Sequence, residues 1–83
     1  MAQVSFTAQS RKLFDSLKEK KLKDKITSSL QKLSYNPFAG KKLKGRLEGT
    51  YSLRIWPYRI LYEITKEKNI IITDIGHRKD IYR

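Results

Sequence analysis

From Tyr51 onward apolar residues return at every second position, and that period limits what the chain can fold into. Tyr51, Leu53 and Ile55 alternate with Ser52, Arg54 and Trp56, and Tyr58, Ile60, Tyr62 and Ile64 then alternate with Arg59, Leu61 and Glu63. Successive side chains of a strand point to opposite faces, so each run buries one face and leaves Arg54 and Arg59 together on the other. Trp56-Pro57 separates the runs, because proline cannot donate to a ladder and suits a tight connection. Lys66-Glu67-Lys68-Asn69 is a polar turn. Ile70 to Ile75 reads as a last strand, apolar on both faces and therefore central, ended by Gly76. Its open parity is expected to include Ile72 and Asp74 and to lead on to Arg78.

The first half carries a different period. Val4 and Phe6 flank Ser5 in a short first strand ending near Thr7, and Thr7 or Ser10 can cap a helix. Leu13, Phe14 and Leu17 share one helical face; Lys20 and Lys21 interrupt it before Leu22, Ile26, Leu30 and Leu33 begin another. The break predicts two helices packed as a hairpin, with Asp24 near the start of the second. Asn36-Pro37 stops that helix, since the residue before proline is pushed out of helical geometry. The expected fold is α+β: one domain over residues 1–83 in the order β-α-α-β-β-β. Its antiparallel sheet, with the first strand able to join it, has the helix pair packed on the Tyr58/Ile60/Tyr62/Ile64 face.

Eighty-three residues leave room for one small core, and the absence of cysteine removes disulfides and thiolate metal sites as staples. The lone His77 has no visible cluster of carboxylates with which to hold a metal, so neither metal nor cofactor is expected. No apolar run approaches a membrane span and the N-terminus lacks the pattern of a secretion signal, which points to a soluble cytoplasmic protein. Nineteen Lys and Arg against eight Asp and Glu give a formal charge of +11, a field suited to a polyanion. The excess is spread evenly, with eight bases and three acids up to residue 36 and eleven and five after it, so only Lys41, Lys42, Lys44 and Arg46 form a tight basic cluster, a candidate RNA-phosphate contact.

The remaining candidates for chemistry are cationic and aromatic. Glu48, Glu63, Glu67, Asp74 and Asp80 are scattered, Gly40, Gly45 and Gly49 do not form a phosphate loop, and no triad is present. Arg54, Arg59, His77, Arg78 and Tyr82 suit cleavage of RNA by its own 2′-hydroxyl, which needs a proton acceptor, a proton donor and positive charge on the developing phosphorane. By residue type alone, Arg54 and Arg59 read more readily as exposed strand residues paired with Glu63 or Asp74 than as site residues. His77 likewise reads as a surface residue, and Trp56 as turn packing.

Taken together, LKGRLEGTYSLRIWPYRILYEI and the ending GHRKDIY, preceded by two helices and NPFAGKKLKG, resemble the RelE side of the RelE/ParE toxin superfamily over nearly the whole chain. The resemblance implies a toxin of a type II toxin–antitoxin system that enters the ribosomal A site and cuts messenger RNA without a metal. Its antitoxin partner would be RelB-like, acidic and partly disordered. Arg59 matches the family arginine on the scissile phosphate, Arg78 the arginine after the last strand that serves as donor or charge clamp, and Tyr82 the C-terminal tyrosine that orients substrate. Arg54 falls where a basic residue of the active face is usual. Ser52 departs from the pattern, because the best-known members carry there a basic residue that helps activate the attacking hydroxyl; His77 is the candidate to take over proton transfer. A ParE-like gyrase poison on the same fold, and a non-catalytic RNA-binding or degenerate toxin, are the alternatives.

Overall fold

The computed structural model describes residues 2–79 and 81. Strand β1 spans Val4–Phe6, helix α1 Ala8–Ser16, helix α2 Lys20–Tyr35, and strands β2 to β5 span Lys41–Lys42, Tyr51–Ile55, Tyr58–Ile64 and Ile70–His77. None of the described helices is long and apolar enough to cross a membrane.

Local chemistry sets the helix ends. The Thr7 hydroxyl accepts the backbone N–H of Ser10 at 3.1 Å and caps α1, while the buried Ser10 hydroxyl donates to the Ile72 carbonyl at 2.7 Å and fixes the helix to β5. Continued as a single rod, the stripes Leu13/Phe14/Leu17 and Leu22/Ile26/Leu30/Leu33 would point to nearly opposite sides. The chain instead leaves the helix at Leu17 and re-enters it after Glu19, which lets both stripes reach one core. Asn36 caps α2 and Pro37 opens a 3-10 turn, as the Asn-Pro pair predicts.

The sheet runs β1-β5-β4-β3-β2. Strands β2 to β5 are antiparallel as expected, but β1 joins parallel to β5 with Val4 opposite Ile70 and Phe6 opposite Ile72, so the sheet is mixed. The added β2 arises inside the basic loop, where Lys41 and Lys42 pair with Ser52 and Tyr51. Both helices cover one face, and Ile26, Leu33, Ile60, Tyr62, Ile70 and Ile72 form the centre of the core. The Tyr62 ring stacks on Tyr51 with centroids 5.4 Å apart. Its hydroxyl donates to the Pro37 carbonyl at 2.8 Å and accepts the Gly40 N–H at 2.9 Å, anchoring the loop that leads to β2. Burial pushes that phenol above its ordinary pKa, opposed by the Gly40 hydrogen bond.

The last strand departs from simple alternation. Leu61 pairs with Asp74, yet Tyr62 pairs with Ile72, so Thr73 is an extra residue in β5 and its hydroxyl donates to the Leu61 carbonyl at 3.2 Å. The core positions accordingly step Ile70, Ile72, Ile75. Ile72 therefore belongs to the helix side and not, as strict parity implies, to the face of Asp74. The strand also runs through Gly76 to His77 instead of ending at the glycine.

Candidate functional site

The face away from the helices is built in rows. One crosses Lys41, Ser52, Leu61 and Asp74, and the next crosses Arg54, Arg59 and Gly76. Leu61 is only 5% exposed on this face, and Ile81 lies close against Gly76, its Cδ1 3.2 Å from where a β-carbon on that glycine would stand. Ile81 thus sits over the open face beside Gly76.

Arg54 and Arg59 are direct cross-strand partners beside the Trp56-Pro57 turn. With Lys41, Ser52 and the backbone around Gly40 they line a groove of about 560 Å³. Ser52 is buried at its floor, and its hydroxyl accepts a long hydrogen bond from Arg59 Nη1 at 3.5 Å. Arg78 arrives by a different route: its N–H donates to the Pro57 carbonyl at 2.9 Å, which ties the residue after β5 to the turn between β3 and β4. Its guanidinium carbon then lies 4.5 Å from the centre of the Trp56 ring, and that of Arg54 lies 5.0 Å from the same centre. Arg54, Trp56 and Arg78 form one cationic and aromatic cluster beside Arg59.

Trp56 is the residue that its type alone hides. It is 53% exposed, and two arginines use its ring as a platform. The available signal was its place between Arg54 and Arg59 in a turn, a position from which a large aromatic cannot reach the core.

Not every expected residue converges. His77 pairs with Tyr58, so it shares the helix face and points away from Arg59; its ring meets Tyr58 edge-on at 5.7 Å and its Nδ1 accepts the Lys79 N–H at 3.2 Å. The expectation that His77 joins the arginines fails because it sits one residue past Gly76 in strict alternation, on the opposite side of the strand. Of the basic cluster, Lys41 alone lines the groove; Lys42 pairs with Tyr51, and Lys44 and Arg46 are exposed around the Gly45–Leu47 turn. Glu63 and Asp74 make no ion pair with Arg54 among the described residues, where the one ion pair is Arg11–Asp15. Tyr82 lies outside the described residues. Among those described, no group of three His, Asp or Glu side chains is placed to hold a metal.

This arrangement can hold a phosphate between guanidinium groups with an exposed aromatic beside it, the chemistry of a single-stranded nucleic-acid site. Residues 4–82 match a family model described as the ParE toxin of the type II parDE toxin–antitoxin system. Toxin RelG of Mycobacterium tuberculosis is 37% identical over 82 residues, covering 96% of this chain and 94% of that protein. Among solved structures, the RelBE2 toxin–antitoxin complex of Mycobacterium tuberculosis aligns with a TM-score of 0.80 at 33% identity over 93% of this chain and 98% of that one. The RelE–RelB complex of Pyrococcus horikoshii shares the fold with a TM-score of 0.76 at 24% identity, over 95% and 97% of the two chains. A basic groove on the open face of a RelE-like sheet, a family match over nearly the whole chain and a relative matched over nearly its full length lead to one assignment: the chain belongs to the RelE/ParE superfamily of type II toxin–antitoxin toxins.

Proposed function

We propose that this toxin is a ribosome-dependent endoribonuclease that cuts messenger RNA in the ribosomal A site and so stops translation. The observation that carries the reading is the groove in which Arg54, Arg59 and Lys41 face the same space. The substrate's 2′-oxygen forms a bond to the neighbouring phosphorus as the bond to the 5′-oxygen breaks, leaving a 2′,3′-cyclic phosphate and a 5′-hydroxyl. Charge accumulates on the phosphorane oxygens, where Arg59 and Arg54 neutralise it, and on the departing 5′-oxygen, where Arg78 acts as the clamp while that oxygen takes up a proton from solvent, balancing the one the 2′-hydroxyl gives to the proton acceptor. Tyr82 keeps the orienting role that its match to the family implies.

The proton acceptor is the part that Ser52 calls into question. Its hydroxyl cannot serve, and His77 faces the other side of the sheet. Lys41 stands directly across from Ser52 on β2, on the same face and in the same groove. We assign to Lys41 the basic role that related toxins place on the neighbouring strand.

The partner in this reading is a RelB-like antitoxin with an acidic, partly disordered segment. Charge complementarity supports it, as do the similar chains solved in complex with RelB proteins. The site of action is then the cytoplasm, where ribosomes are. Primer extension on a defined messenger, with and without ribosomes, tests the activity: cuts only with ribosomes and only from protein retaining Arg78 support it. The match to a ParE family model favours one other reading, inhibition of DNA gyrase. DNA breaks with intact messenger would establish that reading instead.

A further inference from the structure

Helix α2 buries Leu22, Ile26, Leu30 and Leu33 and carries beside them a second stripe, Lys21, Lys25, Ser28 and Lys32, at spacings i, i+4, i+7 and i+11. With Arg54 and Trp56 this stripe lines a groove of about 610 Å³ between α2 and β3. Asp24 is the one carboxylate in its wall, set against four cations. The lysines span about 16 Å along the helix axis at the usual rise per residue.

Three features distinguish this groove from an ordinary solvated helix face. Its lysines are not spent on the fold: Lys23, on another side of α2, covers the Phe14 ring and donates to the Asp15 carbonyl, whereas Lys21, Lys25 and Lys32 make no ion pair among the described residues. An exposed tryptophan stands at its end, and Trp56 also borders a smaller cavity of about 180 Å³ with Lys21, Lys25 and Tyr58. Arg54 lines both this groove and the arginine groove of the open face. Between them β2 pairs only with Tyr51 and Ser52, so the outer edge of β3 from Leu53 to Ile55 is not covered by it.

We propose that the α2 groove is a second binding site for single-stranded RNA, taking the strand that continues from the arginine groove over the edge of β3. Lys21, Lys25 and Lys32 meet its phosphates, and Trp56 stacks on an unpaired base at the junction once one of the two guanidinium groups resting on its ring gives way to it. An aromatic platform among lysines favours a nucleobase-bearing polyanion over an acidic peptide, which offers no ring to stack. The identity of the strand rests on the ribonuclease reading; the existence of the groove as a site does not.

Trp56 is the only tryptophan in the chain, so its fluorescence reports directly on the junction. The purified protein is titrated with a 2′-deoxy oligonucleotide, which lacks the attacking hydroxyl, and binding is followed by tryptophan quenching and by anisotropy of a labelled strand. Saturable quenching is expected. Joint replacement Lys21→Gln, Lys25→Gln, Lys32→Gln should weaken binding about tenfold or more and lower the log–log salt slope by about 2. Trp56→Leu, read by anisotropy, should weaken it about fivefold or more, with Trp56→Phe recovering most of the loss. The charge-matched control Lys12→Gln, Lys18→Gln, Lys66→Gln should keep near-native affinity, and circular dichroism checks that every variant is folded.

Equal losses from both lysine triples, binding without quenching, or no binding overturn the proposal. Quenching by poly-glutamate with equal affinity also overturns it and assigns the groove to an acidic protein. Nothing in the readout needs a ribosome or a cut. A protein that binds here but does not cleave removes the ribonuclease reading and keeps the site, whereas one that cleaves with unchanged fluorescence does the reverse.

Discussion

Arg54 and Arg59 are paired directly across the β3–β4 hairpin, so two guanidinium groups share one row of the open face. Like charges in that relation destabilise a sheet, and an anion placed between them reverses the sign. Inorganic phosphate, exchanged for chloride at constant ionic strength, should therefore raise the melting temperature of the wild type more than that of Arg54→Thr. Equal gains in thermal denaturation would show that the pair does not hold an anion.

Removing the phosphate clamp should abolish function without loss of fold. Arg59→Ala and Arg78→Ala are each expected to lower cleavage by about 10²-fold or more, the usual loss when one stabilising donor is deleted. Arg78 is exposed and rests on Trp56, so its replacement should cost no more than about 1 kcal/mol of stability. Growth assays on inducible expression, paired with chemical denaturation, give both readouts. Full toxicity in both variants would discard the site.

His77→Asn is expected to leave cleavage and its pH profile unchanged, because the imidazole packs on Tyr58 across the sheet from the arginines. A flattened acid or alkaline limb in the variant would return His77 to the reaction.

The opposite holds for Lys41. Lys41→Ala should impair cleavage strongly while leaving binding of a 2′-deoxy strand nearly intact, and Ser52→Lys should restore part of the lost rate from across the same row. Failure of the second-site lysine to rescue, in a variant that still folds, would argue that the base lies elsewhere.

Tyr62 links stability to pH. Its phenol is raised above the ordinary value of about 10, mainly by burial, so the unfolded chain releases this proton first. The stabilisation is complete below that ordinary value and is lost as pH climbs from it through the folded value. Tyr62→Phe should reduce the alkaline slope of stability measured against urea. It should also cost about 1–3 kcal/mol at neutral pH, because the Gly40 N–H and Pro37 carbonyl lose their partner. Gly40→Ala should destabilise the same junction, since a β-carbon there would fall 2.5 Å from the Tyr62 hydroxyl. A steeper alkaline slope in Tyr62→Phe would contradict the account.

Much of the architecture was written locally. The Leu13/Phe14/Leu17 and Leu22/Ile26/Leu30/Leu33 stripes required a break between two helices, Asn36-Pro37 ended the second, and the turn at Trp56-Pro57 with its flanking alternation put Arg54 and Arg59 on one face. These features depend on neighbours a few residues apart, where backbone sterics and side-chain period act directly. Net charge likewise needs no fold.

What the tertiary structure decided depends on pairing between distant segments, which periodicity does not encode. Only register placed Lys41 beside Ser52 and β1 parallel to β5, only the extra residue Thr73 moved Ile72 to the core while leaving Asp74 outside, and only the bond from Arg78 to Pro57 brought that arginine onto Trp56. His77 shows the same limit from the other side: one residue of strand alternation separates it from the face it was expected to serve. A sequence fixes which residues are able to carry the chemistry through their types and local spacing, whereas non-local hydrogen bonds set the register that chooses among them.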